Sequence, residues 1–147
     1  MKEENLKIVN NLFFEFLPLF HQKFGPAFHK HNKGNKCNKN QNKAIMLIGR
    51  HNKITPSKLG KYLDLRKGSL TTLIDSLEKM NLVERETDPS DRRKTLLYLT
   101  SQGKEYLELR NQEFQQNLIN LFDKLSEKEL EDFAYSLKQV VNTMKKI

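Results

Sequence analysis

The stretch LVERETDPSDRRKTLLYLTSQG, residues 82–103, decides how the chain is read. Val83-Glu84-Arg85-Glu86-Thr87 and Thr95-Leu96-Leu97-Tyr98-Leu99 are β-prone runs, and Asp88 to Lys94 between them holds the turn formers and the charge. This spacing predicts a hairpin with a charged tip. Thr100 is a good N-cap, and the apolar positions after it recur at helical spacing, so a helix begins at Ser101. Arg85, Arg92, Arg93 and Lys94 balance Glu84, Glu86, Asp88 and Asp91, so the hairpin is formally neutral. It is not a basic patch, and any polyanion affinity must come from where single charges are placed.

Working outward, Thr55-Pro56-Ser57 opens a helix with an N-cap and a proline at the first helical position, the favoured start. The pattern predicts a short helix with Leu59, Tyr62 and Leu63 inward and a turn at Asp64-Leu65-Arg66. A second helix follows from Lys67 to Met80, with Leu70, Leu73, Ile74 and Leu77 on its core face. Two short helices joined by a tight turn form a helix-turn-helix, and the hairpin behind it is the wing of a winged helix. On the outer face of the second helix, Arg66 and Lys67 precede the short hydroxyls Ser69, Thr71, Thr72 and Ser76. Small polar side chains behind a basic start suit a helix entering a major groove, where bulk would obstruct approach. Thr55, Ser57 and Lys58 stand at the start of the first helix as candidate phosphate contacts. The plainer alternative for the second helix is an amphipathic helix with a polar solvent face.

These residues resemble the MarR family of bacterial transcription regulators. The matching elements are Leu77-Glu78, Leu82-Val83, Arg85, Asp88-Pro89, Asp91, Arg93, Leu99-Thr100 and Gly103, and the resemblance runs from about Lys43 to the C-terminus. One departure is Asn81, where the family usually has Gly. A left-handed helix cap is expected there, and Asn is the best substitute for Gly in that conformation. The resemblance implies that Arg93 enters the minor groove while Asp91 holds its guanidinium, with Arg92 and Lys94 on flanking phosphates. A narrow A·T-rich minor groove has enhanced negative potential, which independently favours Arg. The alternative is that Asp91 and Arg93 merely pair across an exposed turn.

At 147 residues the chain is long enough for a real core, and no apolar run approaches a bilayer span. An acidic, polar start is not a secretory signal. One cysteine, Cys37, excludes an internal disulfide, so a cytoplasmic protein is expected. The net charge of +8 is unevenly placed: between Phe16 and Leu63 there are ten Lys or Arg and no acid. The other sixteen basic residues face all eighteen acids. Counterion release makes a polyanion the functional partner for such a segment. For the tract His29–Lys43 itself, a solvated low-complexity loop is an equal alternative.

The flanks read as helices. Residues 5–28 or so carry Leu6, Val9, Phe13, Phe16, Leu17, Phe20 and Phe24 at steps of three and four, with a kink expected at Pro18 and a break at Gly25-Pro26. Gln41–His51 forms a short helix burying Ala44, Ile45, Leu47 and Ile48. Ser101–Phe122 and a helix after the capping box Ser126-Glu127-Lys128-Glu129 complete the chain. The expected fold is mainly α with a small β-hairpin wing, an α+β winged helix-turn-helix lobe at about 41–100. About 1–28 and 101–147 would form a helical dimerisation region of the same single domain.

The resemblance implies a homodimer on a pseudo-palindromic operator of double-stranded DNA, commonly repressing, and released by a small aromatic or anionic effector. Phe13, Phe14, Phe20, His21, Phe24 and Phe28 could line such a pocket, although a Phe stripe at helical spacing is more often core. Cys37 offers a thiol-based redox alternative, since nearby lysines could favour its thiolate. However, it is expected in a polar loop without tyrosines. His29, His31 and Cys37 fit no strong zinc spacing, and no metal or other cofactor is expected. Without a phosphate-binding glycine loop, nucleophile elbow or paired inward carboxylates, the chain is not expected to be an enzyme. A winged helix used for protein contact is the remaining alternative.

Overall fold

The wing forms as its residues dictate. In the structure, a computed structural model that describes residues 1–29 and 36–147, strands β1 (Val83–Thr87) and β2 (Thr95–Leu99) pair antiparallel. The register sets Val83 opposite Leu99 and Thr87 opposite Thr95. Asp88 N–H donates to the Lys94 carbonyl at 2.9 Å, closing the tip. The helices among the described residues are α1 (Lys2–His29), α2 (Lys39–His51), α3 (Pro56–Leu63), α4 (Lys67–Lys79), α5 (Ser101–Phe122) and α6 (Glu127–Met144). The architecture is a mainly helical winged helix with one two-stranded hairpin, as expected.

The chain divides into two units, Met1–Phe28 with Glu113–Ile147, and His29–Gln112. The second holds the winged helix. Its core gathers Ala44, Ile45 and Ile48 from α2, Leu59 from α3, and Leu70, Leu73, Ile74 and Leu77 from α4. Val83, Leu97 and Leu99 close it from the hairpin. Leu47 and Leu63 are half-buried against this cluster. Ile54, just before α3, exchanges two backbone hydrogen bonds with Leu97, its N–H at 3.1 Å from the Leu97 carbonyl and its carbonyl at 2.8 Å from the Leu97 N–H. The wing's second strand is thereby fastened to the helix-turn-helix.

Helix ends follow side-chain chemistry. Thr55 Oγ1 caps α3 by accepting from Lys58 N–H, with Pro56 at the first position. At the end of α4, Asn81 takes φ 56°, Leu82 N–H reaches back to the Leu77 carbonyl (3.0 Å) and Asn81 N–H to that of Glu78 (2.8 Å). This is a Schellman cap with Asn in the left-handed position. Thr100 Oγ1 caps α5, accepting from Gly103 N–H at 2.9 Å. A Cβ at Gly103 would run into the Leu82 carbonyl, which explains why glycine stands there. The capping box Ser126–Glu129 opens α6.

Three expectations need correction. α1 runs unbroken through Pro18 and Pro26. Each proline removes one N–H donor, but the apolar face holds the helix: Phe20 stacks on Phe24, which packs on Phe122 and Phe133. Tyr62 points outward, 54% exposed, with its ring on His51 at 5.5 Å. In a helix of eight residues, Leu59 and Leu63 already occupy the core-facing stripe, and a tyrosine keeps its hydroxyl wet at the flank. Finally, α2 starts two residues earlier than expected, because Asn38 and Gln41 form a capping box: Gln41 N–H donates to Asn38 Oδ1 at 3.0 Å and Asn38 N–H to Gln41 Oε1 at 2.7 Å.

Candidate nucleic-acid interface

α4 presents its outer face as the pattern predicts. Arg66, Lys67, Gly68, Ser69, Thr71 and Thr72 are exposed, while the Leu70–Leu77 stripe is buried. Arg66 sits at the N-cap without using its side chain as a cap. Thr71 Oγ1 donates to the Lys67 carbonyl at 2.9 Å and Thr72 Oγ1 to the Gly68 carbonyl at 3.1 Å. Ser76 departs from the group. It is half-buried, donates to the Leu73 carbonyl (2.7 Å) and accepts from Gln41 Nε2 (2.9 Å), so this hydroxyl ties α4 to α2. An open groove of about 710 Å³ lies beside it, lined by Asn38–Gln41, Leu65, Ser69, Thr72, Leu73 and Ser76.

At the tip of the wing, Asp91 Oδ1 accepts from Arg93 N–H (3.1 Å) and from Arg93 Nε (3.4 Å), and Lys94 Nζ lies 3.8 Å from Asp91 Oδ2. The Arg93 side chain is 92% exposed, so the carboxylate aims it without hiding it. Asp88 Oδ1 accepts from Ser90 Oγ and N–H, which holds its carboxyl below the usual range and shapes the turn before Asp91. Arg92 is exposed beside these residues. Of the candidate phosphate contacts, Ser57 and Lys58 are exposed at the start of α3, with the Lys58 ammonium 6.0 Å from the Tyr62 ring, while Thr55 serves as the cap.

The base of the wing holds residues to which the sequence assigned no such role. Arg85 on β1 bridges Asp75 (2.6 Å) and Glu78 on α4. Lys53 pairs with Glu86 (3.0 Å) and lies over the Tyr98 ring, while Tyr98 OH donates to Glu84 at 2.7 Å. Four acids near the interface are thus matched by cations or a phenol. Lys53, one of the ten basic residues of the acid-free segment, is thus paired with an acid of the same chain at the surface. The spacings of ten residues from Asp75 to Arg85 and seven from Glu78 to Arg85 give no periodic signal, because they cross from helix to strand.

The candidate effector residues do not form one group. Phe13 and Phe14 are exposed; Phe20 and Phe24 are half-buried in the aromatic cluster of the first unit, with His21 edge-on to Phe20. The side chains of Phe28 and His29, and His31, lie outside the described residues. Cys37 corrects an expectation outright. It is not in a polar loop but in the core of the winged helix, 5% exposed, with Tyr106 beside it. Asn42 Nδ2 donates to the Cys37 carbonyl (3.2 Å) and Tyr106 OH to Asn42 Oδ1 (2.8 Å). Burial pushes the thiol up, only partly offset by the Tyr106 hydrogen bond and by Arg110, whereas nearby lysines were expected to lower it. Among the described residues, no group of three or more His, Cys, Asp or Glu is arranged to hold a metal, and no helix is long and apolar enough to cross a membrane.

Residues 37–95, which hold the buried cysteine, the helix-turn-helix, and the first strand and tip of the wing, match the model of the MarR family. The fold agrees: wild-type MarR from E. coli, in its apo form, superposes with a TM-score of 0.73 at 28% identity over 86% of this chain and 93% of that one. By both measures the chain is similar to the MarR family. A second structure, a mutant MarR from E. coli complexed with operator DNA, matches at 29% identity and TM-score 0.64 over 88% of this chain and 97% of that one. Among curated MarR-type relatives, an uncharacterized HTH-type transcriptional regulator of Bacillus subtilis, YcgE, is 32% identical over 89 residues, 60% of this chain and 58% of YcgE. The matched segment spans between about half and two thirds of the length of such curated relatives. These relatives are named as transcriptional regulators.

Proposed function

We propose that this chain is a double-stranded-DNA-binding transcriptional regulator, with α4 in the major groove and the wing tip in the minor groove. The observation that carries this is Arg93, almost fully exposed yet oriented by Asp91, at the end of a wing that is hydrogen-bonded to the helix-turn-helix. An exposed arginine held by a neighbouring carboxylate is pre-organised for a narrow groove of negative potential. The likeness to an E. coli MarR mutant complexed with operator DNA supports DNA binding.

The regulator acts as a homodimer on a pseudo-palindromic operator. Support lies in the first unit, where α6 leaves Leu130, Phe133, Leu137, Val140, Val141 and Met144 exposed, and α1 does the same with Phe13, Phe14 and Phe16. Apolar faces this continuous are covered in a stable protein, and a second copy would also place two α4 helices on two half-sites. Repression, relieved by a small effector, is the mode the family resemblance favours.

The test is a gel-shift titration with a sequence selected from random duplex. Arg93→Ala should bind the selected site at least about tenfold more weakly, a loss of ~1.4 kcal/mol, with an unchanged melting temperature. Equal affinity of the variant would remove Arg93 from the interface.

A further inference from the structure

The hydroxyls of α4 carry more information than their polarity. Thr71 and Thr72 both donate their hydroxyl hydrogen to a carbonyl one turn back, Lys67 and Gly68 respectively, and Ser76 donates to Leu73. A hydroxyl has one donor and two acceptor sites. With the donors committed inside the helix, the exposed threonines offer outward only oxygen lone pairs and their methyl groups. Asp75, next along the helix, is also an acceptor and is held by Arg85. The cationic donors on this face, Arg66 and Lys67, stand at its N-terminal end, with Ser69 following.

Major-groove base edges respond differently to such a surface. Guanine shows two acceptors, N7 and O6, and no donor, so it would set lone pair against lone pair. Adenine adds an N6 donor to its N7 acceptor, and its partner thymine adds a C5 methyl to its O4 acceptor; cytosine has a donor but no methyl. An array of acceptors and methyl groups therefore complements A·T pairs best. We propose that Thr71 and Thr72 read thymine methyl groups in an A·T-rich half-site. This rests on the chain being a DNA binder, and deepens that reading by naming the base feature that its central helix recognises.

The experiment uses the full chain and a half-site recovered by selection from random duplex. Each thymine of that site is replaced in turn by deoxyuridine, which removes only the methyl group. Thr71→Ser and Thr72→Ser, which keep the hydroxyl and its backward hydrogen bond, are measured beside the unaltered protein. The expected result is a loss of about fourfold in affinity per methyl read, the worth of one buried carbon, at one or two thymines. The matching serine variant should bind thymine and deoxyuridine duplexes equally. A selected site indifferent to deoxyuridine, a deoxyuridine effect that survives in both serine variants, or G·C pairs at the positions facing α4 would each overturn the proposal. Those outcomes leave DNA binding intact; recovery of no preferred sequence at all would overturn DNA recognition and thymine readout together.

Discussion

Arg85 on the first strand of the wing reaches Asp75 on α4 at 2.6 Å while also holding Glu78 one turn further on. One guanidinium therefore fixes the angle between the helix proposed for the major groove and the hairpin proposed for the minor groove. The Arg85 and Asp75 side chains are more than a third exposed, so the bridge contributes only about 0.2–1 kcal/mol to stability. Its weight falls on geometry. Arg85→Ala should unfold at nearly the same denaturant midpoint yet bind the selected duplex about tenfold more weakly, ~1.4 kcal/mol. Parallel losses in stability and affinity would instead mark Arg85 as a plain structural residue.

Two glycines should respond in opposite directions. A methyl group at Gly103 meets the Leu82 carbonyl, so Gly103→Ala should cost about 1–3 kcal/mol in chemical denaturation. A Cβ at Gly68 would meet nothing within 4 Å, and Gly68→Ala should stabilise by about 0.4–1 kcal/mol. The same methyl stands on the exposed face of α4 beside Thr72, so duplex binding should weaken while stability rises. A destabilised Gly68→Ala would mean that α4 starts differently from the structure described.

Asn81 is held at φ 56°, a conformation that costs an ordinary side chain about 1–2 kcal/mol. Asn81→Ala should lose about that much in equilibrium unfolding. Asn81→Gly should remain close to the parent protein: it relieves the backbone but gives up the 3.1 Å hydrogen bond from Asn81 Nδ2 to Gln102. A clear loss for the glycine variant would show that the side-chain contact, not the backbone, decides the position.

The Cys37 thiol is raised above its ordinary value of 9.0, first by burial. At neutral pH it is protonated in the folded state, and iodoacetamide should label it far more slowly than in the denatured chain. The sign for stability follows from linkage. Between the unfolded and folded values the native state binds the extra proton, so the contribution is intact below about pH 9 and is lost as pH rises. Cys37→Ala should flatten that alkaline slope, measured by unfolding at a series of pH values, and an unchanged slope would assign it to other groups. Rapid labelling at pH 7 would restore a thiol-sensor role.

Most of the winged helix could be read from local signals. The hairpin bounds, the Thr55-Pro56 helix start, the left-handed position at Asn81 and the Ser126 capping box each depend on a few adjacent residues. Long-range placement could not be read in this way. Cys37 looked like part of an Asn/Lys repeat, yet the Asn38–Gln41 box within that repeat starts α2 and draws the thiol into the core. Ser76 shares the polar face of α4 with Thr72 but turns to Gln41, 35 positions away, a partner that no periodicity reveals. Arg85 was visible as a motif residue, while its two acidic partners depended on how strand and helix cross. Tyr62 was misplaced because eight residues give too few turns to separate a core position from its neighbour.

The paired backbone bonds between Ile54 and Leu97 have a further consequence. They weld the wing to the segment that launches α3, so in the proposed complex the arginine at its tip and the threonines of α4 would work as a gauge of fixed span. Such a gauge would measure distance and phase along a duplex as well as composition. One base pair inserted between the two contacted tracts turns them by roughly a tenth of a helical repeat, and the two contacts would no longer be met together. Discrimination would then arise from base pairs that the protein never touches.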